Sequence, residues 1–170
     1  MSNLTTRTPN TIKSFTVKGI YDTIRSVTEA HVAVAHFDSG TEFEFGDNKA
    51  YRYPLGYLEE VVNIVSTDNG RVHTYEVALN ILDLVQEGAT RQERQNIQDN
   101  CYQIFLDIYE YLRARVFGEK RVFGFNVSVA PEYGNDRLMR VRADFRIQVD
   151  SPFTPPTPPQ DLLQLFPSLL

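Results

Sequence analysis

Phe123-Gly-Phe-Asn-Val-Ser-Val129 and, after Pro131 to Asp136, Met139-Arg-Val-Arg-Ala-Asp-Phe-Arg-Ile-Gln-Val149 decide how this chain folds. In the first run Phe123, Phe125, Val127 and Val129 alternate with small or polar residues. In the second, Met139, Val141, Ala143, Phe145, Ile147 and Val149 alternate with Arg140, Arg142, Asp144, Arg146 and Gln148. Side chains on a strand point to opposite faces with period two. The pair therefore reads as an antiparallel hairpin with one buried apolar face and one Arg-rich polar face.

An apolar sheet face needs a cover, and the stretch just upstream supplies one. Thr90-Arg-Gln-Glu93 has the spacing of a capping box, in which the Thr hydroxyl and the Glu carboxylate satisfy amides at a helix start. Behind it Ile97, Cys101, Ile104, Phe105, Ile108, Tyr109, Leu112 and Val116 recur at three- and four-residue steps up to Gly118. This spacing predicts a principal helix from Arg91 to about Val116 with one apolar stripe. Cys101 lies in that stripe and reads as packing.

Further upstream, Leu55–Ser66 and Arg71–Val85 are rich in β-formers and flank Asp68-Asn-Gly70, a turn signal, so a long hairpin is expected. The apolar set there changes parity after Ile81, to Leu82 and Leu84, which predicts a bulge or bend near Asn80 to Asp83. Phe15, Ile20, Ile24 and Val27 predict a helix over Ser14 to Thr28. The alternation over His31 to Phe37 predicts a short strand, followed by an acidic stretch in which Phe43 and Phe45 share one side and Glu42 and Glu44 the other.

The expected fold is therefore α+β. A mostly antiparallel sheet with long hairpins is packed on one face by a long amphipathic helix and a shorter N-terminal helix. Residues 1–13 form a polar N-terminal arm and 14–150 a single domain, a length sufficient for a hydrophobic core. Residues 151–170 differ in kind. Six of the nine prolines fall there, among them Pro155 and Pro156, and the segment ends with Leu162, Leu163, Leu165, Phe166, Leu169 and Leu170. Proline excludes helix and central strand, so an extended spacer carrying an apolar terminus is expected, a docking arm for a neighbouring subunit.

Composition narrows the function. The start has no apolar leader, no run approaches the length of a membrane span, and one cysteine excludes an internal disulfide and a thiolate zinc cluster; a soluble chain in a reducing cytoplasm is expected. A net charge of −5 disfavours a free-standing nucleic-acid binder. Its distribution is uneven: residues 38–87 hold ten acidic and three basic side chains, a net of −7, while residues 88–149 hold eight acidic and ten basic, a net of +2. Two such halves can attract each other between subunits, or serve as ordinary solvated faces.

No phosphate loop, nucleophile elbow or zinc-protease motif occurs. His31, His36 and His73 lack the company that catalysis or metal binding needs. No catalytic residue, metal or cofactor is expected. The basic cluster Arg137, Arg140, Arg142 and Arg146 suits phosphate contact or, preferably, salt bridges to an acidic neighbour.

The order of helix, acidic strand region, long hairpin, capped helix and two amphipathic strands resembles the tail-terminator and tail-completion (neck) proteins of tailed bacteriophages, of the type found in phages of Bacteroidetes. The strings that carry the resemblance are Phe43-Glu-Phe-Gly46, Tyr53-Pro-Leu-Gly-Tyr-Leu-Glu59, Tyr75-Glu-Val-Ala-Leu-Asn-Ile-Leu-Asp83, Glu93 through Leu112, and Arg142-Ala-Asp-Phe-Arg-Ile-Gln-Val-Asp150. It implies a non-enzymatic virion protein, assembled in the host cytoplasm as a ring at the head–tail junction, with the genome passing through its lumen. Its partners would be copies of itself, neighbouring connector or tail proteins and, non-specifically, DNA. The interface would draw on Arg137, Arg140, Arg142 and Arg146, on Glu42 and Glu44, and on the arm residues Pro155, Pro156, Leu162, Leu163, Leu165 and Phe166. The Pro-rich arm has no counterpart in that family pattern. The alternative is a monomeric α+β adaptor that binds a peptide or small ligand and carries a Pro-rich tail.

Overall fold

The computed structural model describes residues 16–41, 50–60, 63–68, 71–133 and 137–150. Helix α1 spans Val17–Glu29, and Thr16 caps it by accepting the Gly19 amide through its side chain. Strand β1 is His36–Gly40, β2 Leu55–Glu59, β3 Asn63–Thr67 and β4 Val72–Leu84; helix α2 is Arg91–Tyr111, continued by a π-helical turn, Leu112–Phe117. Strands β5, Val122–Tyr133, and β6, Leu138–Asp150, complete a six-stranded sheet. Its order is β1-β2-β4-β6-β5, with β3 pairing with β4 on the side that β2 occupies further along.

The expected fold class is the observed one. β4 and β6 form the spine of the sheet, thirteen residues paired antiparallel without interruption from Val72↔Asp150 to Leu84↔Leu138. One face of this ladder carries Tyr75, Val77, Leu79, Ile81, Val141, Ala143, Phe145 and Ile147, all buried in one core with Ile20, Ile24 and Val27 of α1 and Cys101, Phe105 and Ile108 of α2. Both helices thus cover the same face. Phe145 is a centre of this packing, meeting the rings of Phe105 at 6.2 Å and Tyr109 at 5.7 Å. Burying a side chain of this size contributes about 2 kcal/mol.

The capping box at α2 is present in full. Glu93 N–H donates to Thr90 Oγ1 at 3.3 Å, and Thr90 N–H donates to Glu93 Oε2 at 2.7 Å. The apolar stripe is buried as expected from Cys101 to Leu112, with Ile97 only partly buried at its start. Beyond it the helix widens into the π-helical turn, so the next fully packed side chain is Phe117, five residues on, and Val116 is only partly buried. Cys101 is buried in this stripe; burial, with Asp83's charge nearby, pushes its thiol up to about 12.

Three expectations are corrected. The strand expected over His31 to Phe37 begins only at His36 and runs to Gly40, parallel to β2. Residues 31–34 turn instead, because the buried His31 ring organises them locally: Nδ1 accepts the Ala33 amide at 3.2 Å and Nε2 lies 3.4 Å from Asp107 Oδ2 on α2. The bulge expected near Asn80 to Asp83 is absent, since β4 keeps register with both neighbours there. Leu82 changes parity because the opposite sheet face holds a second small core of Leu55, Tyr57, Leu82 and Leu138, flanked by Tyr51 and Tyr53.

The third correction concerns β5. Phe123 and Phe125 do not share a face, because the register shifts by one residue between Phe123↔Arg146 and Asn126↔Asp144. Gly124, at φ +63°, absorbs the extra residue in a conformation that a Cβ disfavours. Val122 takes the core face opposite Ile147, and Phe123 stands opposite Arg146 on the polar face. The hairpin expected from Leu55 to Val85 is present but its first strand is divided, as β2 and β3 with a two-residue change of register against β4. Residues Glu42, Glu44, Phe43 and Phe45, both terminal arms and most of the Asp68-Asn-Gly70 turn lie outside the described residues.

Candidate functional site

The sheet face turned away from both helices brings together a cluster of charged and polar residues. Period-two alternation on β6 places Arg140, Arg142, Asp144, Arg146 and Gln148 there, and the unbroken register sets them opposite Leu82, Asn80, Ala78, Glu76 and Thr74. β2 adds Glu59. The predicted side for Arg140, Arg142 and Arg146 is the observed one.

Arg142 and Arg146 meet acids of their own chain. Arg142 Nη1 donates to Glu59 Oε1 at 2.9 Å, and its Nη2 donates to Asp144 Oδ1 at 3.0 Å. The Glu59 side chain is almost fully buried and also accepts from Asn80 Nδ2 at 2.9 Å, while Asn80 Nδ2 lies 3.3 Å from the Tyr57 carbonyl. Asn80 Oδ1 is buried without a hydrogen-bond partner in the described structure. Further along, Arg146 Nε donates to Glu76 Oε1 at 3.1 Å, and at the far end of the hairpin Arg137 Nη2 reaches Glu87 at 3.3 Å. Arg137 itself adopts φ +52°, and its carbonyl accepts the Val85 amide.

Glu59, Glu76 and Glu87 belong to the acidic half of the sequence, and Arg137, Arg142 and Arg146 to the basic half. The charge separation along the chain is thus satisfied, for these pairs, inside one domain. The Arg142 pair is the strongest of them, being partly desolvated and hydrogen-bonded on both sides. The Arg146 and Arg137 pairs are solvent-exposed and weak. Phosphate contact by these side chains would have to compete with the carboxylates already in place.

The Gly124 bulge shapes this face. With no Cβ there, a depression of about 390 Å³ opens between Gly124, Asn126, Glu76, Arg142, Asp144 and Arg146. Its walls alternate in sign, which suits a polar or zwitterionic contact better than an apolar ligand. Among the described residues no group of three or more His, Cys, Asp or Glu gathers as a metal site, and no helix is long and apolar enough to cross a membrane.

Among the described residues β1 and β5 end the strand order and β3 pairs only with β4, and the two edges at β3 and β5 carry exposed apolar side chains that periodicity did not announce. Every residue of β3 is exposed, Ile64 by 43% and Val65 by 42%. At the opposite edge, β5 ends the strand order, with Phe125 41% and Val129 38% exposed beside Tyr102 of α2 at 36%. Sequence reasoning had placed Phe125 and Val129 in the core. The internal acids Glu59, Glu76 and Glu87 were also missed, although the parity of Glu76 between Tyr75 and Val77 already marked it for the Arg face. No protein-family model matches this chain, and no curated protein matches it.

Proposed function

We propose that this chain is a structural subunit of a tailed-phage neck, assembling head to tail into a ring at the junction of head and tail. The observation that supports this reading most is that, among the described residues, the edge strands β3 and β5 lie on opposite sides of the β4–β6 pair and expose apolar side chains. Edge strands with exposed apolar side chains favour pairing with another chain. A heterologous contact that closes into a ring needs two different surfaces on opposite sides of the subunit. β3 and β5 meet that geometric requirement.

The Arg face then has a revised part to play. Its members Arg142 and Arg146 hold strands of one subunit together, and the contacts between subunits fall to the edges and to residues 151–170. Pro155, Pro156, Leu162, Leu163, Leu165 and Phe166 keep their proposed place in the interface. Arg137, exposed at the β5–β6 turn beside Glu87, is the member of the cluster placed where a neighbour can meet it.

The test is negative-stain microscopy of the purified full chain, alone and with its connector-side neighbour, alongside sedimentation to measure mass. Closed rings are expected, and removal of residues 151–170 should weaken them while leaving the circular dichroism spectrum unchanged. A stable monomer at micromolar concentration in both conditions, with narrow NMR resonances from the tail, would favour the adaptor reading instead.

A further inference from the structure

We infer that the apolar strip made by the exposed Tyr102, Phe125 and Val129 and the half-buried Val127 is the docking site for the apolar C-terminal segment, Leu162 to Phe166, of a second copy of this chain. The inference rests on the ring reading only for the geometry of the assembly and names a site within it. Phe125 belongs to an aromatic cluster rather than standing as an isolated exposed residue: it meets Phe105 at 5.5 Å and Tyr109 at 4.9 Å, both edge-on. Tyr102 extends the same cluster by stacking on Phe105 at 6.4 Å. Val127 and Val129 continue it along β5, opposite Ala143 and Val141. Among the described residues no strand pairs with the outer edge of β5.

The segments of chain outside the described residues differ in chemistry and in where they attach. The N-terminal residues lead into α1, and residues 42–49 lie between β1 and β2; these elements occupy the other end of the strand order from β5. Both segments are also mostly polar. Residues 151–170 instead leave from the end of β6, beside the start of β5, where Arg121 pairs with Asp150 at 2.6 Å and the Gln148 amide donates to the Arg121 carbonyl at 2.7 Å. Leu162, Leu163, Leu165 and Phe166 match an apolar strip in kind.

Geometry selects a second copy over the chain's own tail. β6 runs toward the Val122 end of β5, so the chain departs heading away from Phe125 and Val129. Phe125 is only about 10 Å along β5 from Val122. The Ser151 to Gln160 spacer, read as extended from its prolines, covers about 31 Å. To reach its own strip the chain would have to reverse at once and then overshoot. An extended spacer that kept the direction of β6 would carry Leu162 beyond its own domain, within reach of a neighbour.

The experiment replaces Phe166 in the full chain with the photoreactive p-benzoylphenylalanine, mixes isotopically heavy and light chains, irradiates, and maps the crosslinks by mass spectrometry. Crosslinks joining heavy to light chains at Tyr102 or within Phe125 to Val129 are expected. Val129→Glu, at an exposed site that should tolerate the change, should reduce both the crosslink and the association constant about tenfold. Crosslinks confined to one chain, crosslinks landing elsewhere, or none at all would overturn the inference. Imaging of the same sample separates the two readings. Inter-chain crosslinks on the strip in particles that are not rings would sink the neck role alone, and rings whose crosslinks lie elsewhere would sink this site alone.

Discussion

At the scale of single residues, burial decides which of the arginines matters for stability. Arg142 and Glu59 are shielded from solvent and share hydrogen bonds with Asn80 and Asp144, so removing the cation strands a buried carboxylate. Arg142→Met is expected to lower unfolding free energy by about 3 kcal/mol in urea titrations, whereas Arg146→Met, at an exposed pair, should cost under about 1 kcal/mol. Gly56 makes a second demand. A Cβ there would lie 2.5 Å from Cγ2 of Thr28, itself buried at the end of α1. Gly56→Ala should therefore push α1 away from β2 and destabilise the fold by about 2 kcal/mol, visible as a lowered Tm. Neither constraint was readable beforehand, because each depends on a partner more than 25 positions away in the sequence.

At the scale of elements, the features written in local periodicity are the ones the sequence discloses well. The α2 stripe and its cap, the alternation on β6 and the apolar spacing of α1 were all legible, since a single face of each element is buried. Legibility fails where something breaks that condition. Leu82 changes parity because both faces of β4 are covered there, and Phe123 leaves the core because Gly124 hosts an extra residue. His31 bends its own backbone with a ring nitrogen, which no propensity records. The cap of α2 carries a prediction with a pH signature. Hydrogen bonds from the Thr90 amide and then the Thr90 hydroxyl hold the Glu93 carboxyl below its ordinary 4.5. With its folded value depressed, Glu93 adds stability above the unfolded value, and this is lost as pH falls through the folded one. Thr90→Ala should cost about 1 kcal/mol at neutral pH. The stability difference between wild type and Glu93→Gln, followed by thermal melts, should close on acidification.

At the scale of the whole molecule, the sheet places unlike surfaces on its different sides: helices on one face, charge pairs on the other, and exposed apolar side chains along the edge strands β3 and β5. Charge asymmetry along the sequence was visible, but its resolution inside the domain was not, because it depends on β6 lying between β4 and β5. That central strand also sets an order of events during synthesis. β6 is the last described element to be translated, yet it supplies a hydrogen-bonding neighbour to both β4 and β5. Until residues 138–150 have emerged, β5 has no place in the sheet and the strip around Phe125 does not exist as a surface. In a nascent chain, therefore, β5 can enter the sheet only after residues 138–150 have emerged, so the edge around Phe125 takes shape later than the local β3–β4 pair.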